Sequence, residues 1–308
     1  TMERSLIMLT NVRLLVASVV CSLAFISQAA ADDVSLTLTS CPPWKQEGDE
    51  ASQQAMLDMC ARDSALMTNA IANNLSISSN NQHQLVQEDA TPINLYKKLQ
   101  ALREVVQAGD TLYFFQMSHG GILDHTYQGY PVNGEVFAYY TDEEPVDFTA
   151  TTRNGIWMSA RDLRDALSQF AKDTGANVLV IIEACHAAAA GHELIHNPVE
   201  RLSDDEKIAF IFSAGGEQTS TFTDDGKGAR FTEEFALALN QAETGTSLAD
   251  VFEVARIATH RGAFAYCNGF SDETKDALFQ SVDMYFEACL QKPTFFDPKG
   301  LLMDIIIQ

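Results

Sequence analysis

The sequence predicts an α/β fold, a three-layer sandwich in which a mostly parallel central sheet has helices on both faces. Two observations indicate this class. Apolar, β-rich segments alternate along the chain with segments of helical periodicity, which is typical of a parallel sheet covered on both sides. The chain has 308 residues, a length that suits one large domain of this kind or one domain with an appendage.

The elements of the first third follow from periodicity and from turn residues. Residues 33–39 alternate and are rich in β-formers, as expected of a strand. Thr91-Pro92 begins a helix whose leucines share one face, and Gly109 ends it. In order, we expect a strand at 33–39, a helix at about 52–73, a short strand at 85–86, a helix at about 92–107 and a strand at 110–117.

The rest of the chain continues the alternation after one interruption. Residues 124–155 are polar, aromatic and rich in turn residues, which predicts a hairpin or an excursion from the main sheet. Ser159 is expected to cap the helix that follows it. In order, we expect a helix from Ser159 to about Lys172, strands at 178–182 and 208–212, and helices at about 232–241 and 247–260.

The N-terminal 31 residues are typical of a cleaved signal peptide. Arg4 and Arg13 precede an apolar stretch that is short for a membrane span, and alanines occupy 29–31. We therefore expect a signal peptide at 1–31, a main domain at 32–265 and a C-terminal extension at 266–308 packed on that domain. The mature protein should be periplasmic or extracellular and should not contact a membrane; an uncleaved anchor is the alternative.

The acidic composition limits the partners. The formal net charge is −22, and a surface of this sign repels nucleic acids and anionic lipids. We therefore expect neither as a partner.

Five cysteines lie beyond residue 31, and export favours disulfides. If Cys185 is set aside, an early pair and a late pair remain, which favours the links Cys41–Cys60 and Cys267–Cys289. The sequence leaves the connectivity open.

Reactive or flexible residues follow three predicted strands. Residues 118–121 read Ser-His-Gly-Gly, Cys185 follows a second strand, and residues 213–216 read Ser-Ala-Gly-Gly. Ligands of parallel sheets bind at the carboxyl ends of the strands, where a thiol and an imidazole from neighbouring strands can meet. The glycines allow backbone N–H groups to approach a substrate carbonyl, as an oxyanion hole requires. The alternative interpretation makes Cys185 a core cysteine and His119 a turn residue.

A second motif competes with this site. His192, Glu193 and His196 match H-E-x-x-H, the zinc-peptidase signature. However, Gly191 and Pro198 bound the segment closely, and no third ligand stands out, although Glu200 and Glu206 are near. We therefore expect a loop with two solvated histidines and assign no metal ligands.

These residues resemble the caspase-like cysteine peptidases, a group that includes caspases, metacaspases and legumains. The resemblance covers roughly residues 34–260 and rests on the strand endings Ser-His-Gly-Gly, Glu-Ala-Cys and Ser-Ala-Gly-Gly-Glu-Gln-Thr-Ser. Glu-Ala-Cys is similar to legumains, whereas the third ending and Cys60-Ala61-Arg62-Asp63 are similar to metacaspases. The resemblance implies a caspase-like fold, Cys185 as nucleophile, His119 as proton donor to the leaving amine, and an oxyanion hole from the N–H groups of Gly120 and Cys185.

The expected specificity follows from strand geometry and from the same resemblance. Glu183 and Cys185 are two residues apart, so their side chains share a face. We expect Glu183 to bind the residue before the cleaved bond, together with Ser213. The metacaspase resemblance implies that Asp63 joins them. Two carboxylates favour Arg or Lys there, with Asn possible. The alternative is that Glu183 is a buried structural acid whose partner is Arg230.

The sequence thus predicts a cysteine endopeptidase that acts on peptides or proteins. The other function classes that we consider are a zinc metallopeptidase built on residues 192–196 and a catalytically inactive caspase-like binding module. The presence of both His119 and Cys185 counts against the inactive module. We expect no cofactor, while activation by calcium stays open.

Overall fold

A mostly parallel sheet of six strands forms the centre of the computed structural model. The strand order is β2-β1-β3-β7-β8-β9, in which β9 is antiparallel to β8 and the other pairs are parallel. In chain order the strands are β1 (Val34–Ser40), β2 (Gln82–Val86), β3 (Thr111–Ser118), β4 (Gly120–Tyr127), β5 (Tyr130–Tyr140), β6 (Gly155–Ser159), β7 (Asn177–Glu183), β8 (Ile208–Phe212) and β9 (Thr294–Phe296).

Helices cover both faces of this sheet, which confirms the predicted fold class. The helices are α1 (Glu50–Asn74), α2 (Pro92–Arg103), α3 (Ala160–Thr174), α4 (Arg230–Gln241), α5 (Leu248–Asn268) and α6 (Leu301–Asp304). One core joins the sheet to α1, α4, α5 and α6, and a second core joins the opposite face to α2 and α3. Phe115 and Ile181 enter the first core, whereas Phe114 and Val180 enter the second, because successive side chains of a strand point to opposite faces. This explains why β3 and β7 are apolar without alternation.

A small antiparallel sheet interrupts the alternation after β3. Its order is β4-β5-β6, with Tyr127 paired to Tyr130 at one end of the hairpin and Val136 paired to Ser159 in the second ladder. The hairpin expected within residues 124–155 is therefore confirmed. Ser159 then caps α3, as expected, since its hydroxyl accepts from the N–H of Asp162 at 3.1 Å.

Two helices end elsewhere than predicted. Helix α2 ends at Arg103 with Glu104 as its C-cap, and the chain turns at residues 104–105, ahead of Gly109. Helix α5 continues past His260 to Asn268, since Ala263 and Cys267 are buried along its extension. Strand β9 and helix α6 were not predicted.

Both predicted disulfides are present. Cys41–Cys60 joins the end of β1 to α1, and Cys267–Cys289 joins α5 to the segment that precedes β9. Cys185 belongs to neither bond and is partly exposed. Among the cysteines that the structure describes, Cys185, which follows β7, is therefore the one outside both disulfides.

Asp33–Gln308 forms one compact unit. Within the part of the chain that the structure describes, no helix has the length and apolar character needed to cross a membrane. The predicted signal peptide and the His-Glu-Leu-Ile-His motif lie outside the described residues. The structure describes residues 32–41, 50–127, 130–140, 155–188, 207–271, 273–275 and 289–308.

Candidate active site

Strands β3 and β7 bring the predicted histidine and cysteine to the same edge of the sheet. The two strands are parallel neighbours, and Met117 of β3 pairs with Glu183 of β7. His119 and Cys185 each lie two residues beyond this pair, at the carboxyl edge of the sheet. The carboxyl ends of two parallel neighbours meet at the same edge of a sheet. Both residues are partly exposed.

The turn that carries Cys185 is bonded to the segment that follows β8. The hydroxyl of Ser213 bonds both backbone groups of Ala184, accepting from its N–H at 3.2 Å and donating to its carbonyl at 3.1 Å. The N–H of His186 donates to the carbonyl of Gln218 at 2.7 Å. His186 has φ +57°, a left-handed conformation that is uncommon for a residue other than glycine and is concentrated at functional sites. The nucleophile candidate therefore sits in a tightly bonded, unusual turn.

Glu183 is buried and receives hydrogen bonds from the start of α4. Its side chain is 2% exposed. Its Oε2 accepts from the N–H of Thr232 at 3.0 Å and from the hydroxyl of Thr232 at 2.8 Å, and its Oε1 accepts from the hydroxyl of Ser220. The N–H groups of a helix's first turn have no partner within the helix, so Glu183 satisfies one of them. Burial raises the pKa of Glu183, whereas the bonds from Ser220 and Thr232 act in the opposite direction.

Arg230 does not neutralise Glu183. The guanidinium of Arg230 instead donates to Asp224 at 2.6 Å and to the carbonyl of Phe222 at 2.9 Å. Among the described residues, the donors to Glu183 are all neutral groups. The negative charge of Asp63 also acts on Glu183 and raises its pKa further. Glu183 is thus a buried carboxyl for which a cation would be a favourable neighbour.

Asp63 lies on α1 and reaches the same helix end. It is fully buried, and its Oδ2 accepts from the N–H of Ala229, the residue before α4, at 2.6 Å. Its Oδ1 accepts from Arg62, which also pairs with Glu233. Burial raises the pKa of Asp63 to about 6, although the bonds from Ala229 and Arg62 lower it. Unlike Glu183, Asp63 has a cation beside it.

The raised pKa of Asp63 predicts how stability depends on pH. An unfolded aspartate loses its proton near pH 4, whereas folded Asp63 keeps it up to about pH 6. The contribution of Asp63 to stability is therefore complete below about pH 4 and is lost as the pH rises towards about 6. Thermal unfolding between about pH 4 and about pH 7 should show a shallower pH dependence for Asp63→Asn than for the wild type. Parallel Tm curves for the two proteins would contradict the assignment.

The remaining predicted residues lie close to the reactive turn. Gly120 is the first residue of β4 and is in register with Phe137 of β5. Ser213 follows β8 directly and is fully buried. The structure therefore brings His119, Gly120, Cys185, Glu183 and Ser213 to one edge of the sheet, with Asp63 reaching it from α1.

Several polar residues that support this edge were missed from the sequence. Ser220 stood in a quoted strand ending but received no role, and Thr232 looked like an ordinary helix residue. Gln218 stood in the same strand ending and also received no role, whereas Gln291 carried no signal, because it lies neither in a periodic segment nor beside a reactive residue. Among the residues that the structure describes, no group of three or more His, Cys, Asp or Glu side chains is arranged to hold a metal ion.

Comparison with known proteins agrees with the fold. The family model that describes the caspase domain matches residues 49–277. Caspase-1 from Spodoptera frugiperda has a similar structure, with a TM-score of 0.51, 12% identity, and coverage of 87% of this chain and 86% of that one. A protein from Geobacter sulfurreducens has a TM-score of 0.50, 16% identity, and coverage of 88% and 96%. At these identities the structural likeness shows the fold alone. No curated protein matches the sequence.

Proposed function

Since this chain belongs to the caspase domain family of cysteine peptidases, we propose that it is an endopeptidase in which Cys185 and His119 cleave peptide bonds. The observation that carries the proposal is the register of β3 and β7. His119 and Cys185, the latter outside both disulfides, each follow the paired residues Met117 and Glu183 by two positions, which supports a joint role.

The proposed reaction has two steps. The thiolate of Cys185 attacks the carbonyl carbon of the substrate, and the bond to the leaving nitrogen breaks as that nitrogen takes a proton from His119. Water then attacks the thioester, gives a proton to His119 and releases the acid together with the thiolate. The N–H groups of Gly120 and Cys185 are the proposed donors to the oxygen that becomes negative in each step.

The charge distribution supports Arg or Lys before the cleaved bond. Glu183 is the last residue of β7, two residues before the nucleophile, and has no cation of its own among the described residues, whereas Asp63 has Arg62. A guanidinium or ammonium group of the substrate would supply the missing charge and gain charge-assisted hydrogen bonds. The substrate class we propose is therefore basic peptides or proteins.

A peptide panel tests the proposed activity. Peptides that differ only in Arg, Lys, Asn or Asp at the cleavage position are incubated with the protein, alone and after treatment with iodoacetamide or a chelator. We expect cleavage after Arg and Lys that iodoacetamide abolishes and the chelator spares. Inhibition by the chelator with survival after iodoacetamide would favour the zinc motif instead. Because a chelator also removes calcium, added calcium is tested in a separate arm.

We also propose that the protein is exported and that its mature chain begins near Asp32. The two buried disulfides support an oxidising compartment. Intact-mass analysis of the protein recovered from its host should give the mass of a chain lacking residues 1–31, with four cysteines oxidised and one thiol. Retention of residues 1–31, or five free thiols, would contradict the proposal.

A further inference from the structure

A short segment near the C-terminus is bonded to the loop that supports the reactive turn. Residues 289–292 lie outside the part of the chain that matches the caspase domain. We propose that Gln218 and Gln291, which we call the glutamine clasp, hold the loop at 213–221 in place, and that Gln291 is a positioning residue for the peptidase reaction. This inference rests on the proposed function.

Gln291 uses the full hydrogen-bonding capacity of its amide. The side chain is fully buried. Its Nε2 donates to the carbonyl of Ser213 at 2.8 Å and to the hydroxyl of Ser220 at 3.3 Å. Its Oε1 accepts from the N–H of Thr221 at 3.0 Å and from the hydroxyl of Thr221 at 2.5 Å. Two donors and two acceptor positions are what a primary amide offers, so no other side chain of this length reproduces the set.

Gln218 makes the reciprocal contacts from the loop to the segment. Its Nε2 donates to the carbonyl of Leu290 at 2.6 Å, and its Oε1 accepts from the N–H of Lys292 at 2.8 Å. The same oxygen accepts from the N–H of Gly215 at 3.0 Å. A Cβ atom at Gly215 would lie 2.7 Å from this oxygen, so the contact requires glycine there. Each glutamine therefore bonds the backbone on the other side of the clasp.

The loop that the clasp holds is itself bonded to the turn that carries Cys185 and to Glu183. The carbonyl of Gln218 accepts from His186, the residue after the nucleophile. The hydroxyl of Ser220 donates to Glu183. Because Gln291 donates to the oxygen of Ser220, the hydrogen of that hydroxyl is directed away from Gln291 and is available to Glu183. The clasp thus supports both the turn that carries Cys185 and the carboxylate of Glu183.

A disulfide fixes the segment that supplies Gln291. Cys289 is two residues before Gln291 and is bonded to Cys267 of α5. The carbonyl of Gln291 also lies 3.2 Å from Nδ1 of His260 on the same helix. Helix α5 therefore anchors the clasp from outside the reactive edge.

Gln291→Met tests the clasp, because methionine has nearly the length of glutamine but makes none of the four bonds. We expect kcat/KM for an arginine peptide to fall by about tenfold or more. The ratio of cleavage after Arg to cleavage after Asn should also fall, since the hydroxyl of Ser220 is no longer oriented towards Glu183. Gln291→Asn keeps the amide on a side chain that is one methylene shorter, and it should shift both quantities in the same direction. This variant replaces Gln291→Met as the test if the methionine variant does not fold.

Ile305→Val is the matched control. Ile305 is buried in the same C-terminal part of the chain, in the core formed with α1, α4 and α5. This variant should lower Tm without changing the ratio of cleavage after Arg to cleavage after Asn. Unchanged kcat/KM and selectivity in both Gln291 variants would overturn the proposal. A loss of activity that only follows Tm, as in Ile305→Val, would overturn it as well.

A second readout separates failure of the clasp from failure of the proposed function. If the wild type cleaves no peptide, the proposed function fails, and the clasp is judged by chemistry that needs no substrate. Gln291→Met should then change the rate at which iodoacetamide alkylates Cys185 in the folded protein and should speed hydrogen exchange at the amides of His186 and Thr221. Equal rates in wild type and variant would overturn the clasp.

Discussion

Replacing Cys185 by alanine is expected to abolish peptide cleavage while the protein stays folded. The thiolate forms the bond to the substrate carbonyl, and no neighbouring group can take its place, so turnover should fall by about four orders of magnitude or more. Cys185 belongs to neither disulfide and lies in a partly exposed turn. Its loss should therefore leave Tm and both disulfides close to those of the wild type. Cleavage rates and thermal unfolding of the two proteins check this.

The matched variant carries His192→Ala together with His196→Ala. If residues 192–196 only form part of a loop, this variant should keep most of the wild-type activity. A zinc peptidase would behave in the opposite way, because the loss of two ligands empties the metal site. An inactive but folded double variant, together with an active Cys185→Ala variant, would show that the zinc motif is the catalytic one.

Glu183→Gln is expected to lower kcat/KM for arginine peptides by one to two orders of magnitude. The substitution keeps the shape of the side chain but removes its charge, and a hydrogen bond to a charged group contributes about 1.5–3 kcal/mol. Cleavage after Asn, a neutral residue, should change much less. Steady-state kinetics on peptides that differ only at this position measure both effects.

Asp63→Asn is the comparison for this result. Asp63 shares the buried end of α4 with Glu183 but has Arg62 beside it, so its charge is already compensated within the chain. We therefore expect a smaller effect on arginine peptides than Glu183→Gln produces. Wild-type cleavage of arginine peptides by Glu183→Gln would show that Glu183 only anchors α4, as the structural-acid interpretation holds.

The sheet and its reactive edge could be predicted because they depend on local pattern. Strand β8 was predicted with its observed bounds, and β3 and β7 within one residue at each end, since each is a short apolar run between turn residues. Once two parallel strands are neighbours, the residues that follow them lie at one edge, which is why the sequence predicts that His119 and Cys185 act together.

The partners of Glu183 could not be predicted, because they depend on where a helix begins in space. From the sequence, Arg230 was the expected structural partner because its charge is opposite to that of Glu183. In the fold, the N-terminal end of α4 points at Glu183, so a backbone N–H and the hydroxyls of Ser220 and Thr232 supply the bonds. Arg230 itself turns to Asp224.

The contacts that the C-terminal segment makes with the loop at 213–221 could not be predicted for a different reason. Gln291 and Ser213 are 78 residues apart, and a contact of this kind leaves no periodicity in either segment. Strand β9 has three residues, two of them exposed, and such a short edge strand lacks the alternation that identifies longer ones. The predicted Cys267–Cys289 bond was the one signal that this part of the chain is fixed to α5.

Labelling by an arginine peptide that ends in a thiol-reactive ketone tests the central claim most directly. The wild-type protein is incubated with this probe, digested and examined by mass spectrometry while residual activity is followed. We predict one label per chain, on Cys185, with activity lost in proportion to labelling and with labelling slowed in Glu183→Gln. Full activity after Cys185 is labelled would contradict the account. So would a second outcome, in which a chelator stops cleavage, added calcium does not restore cleavage, and Cys185 stays unlabelled.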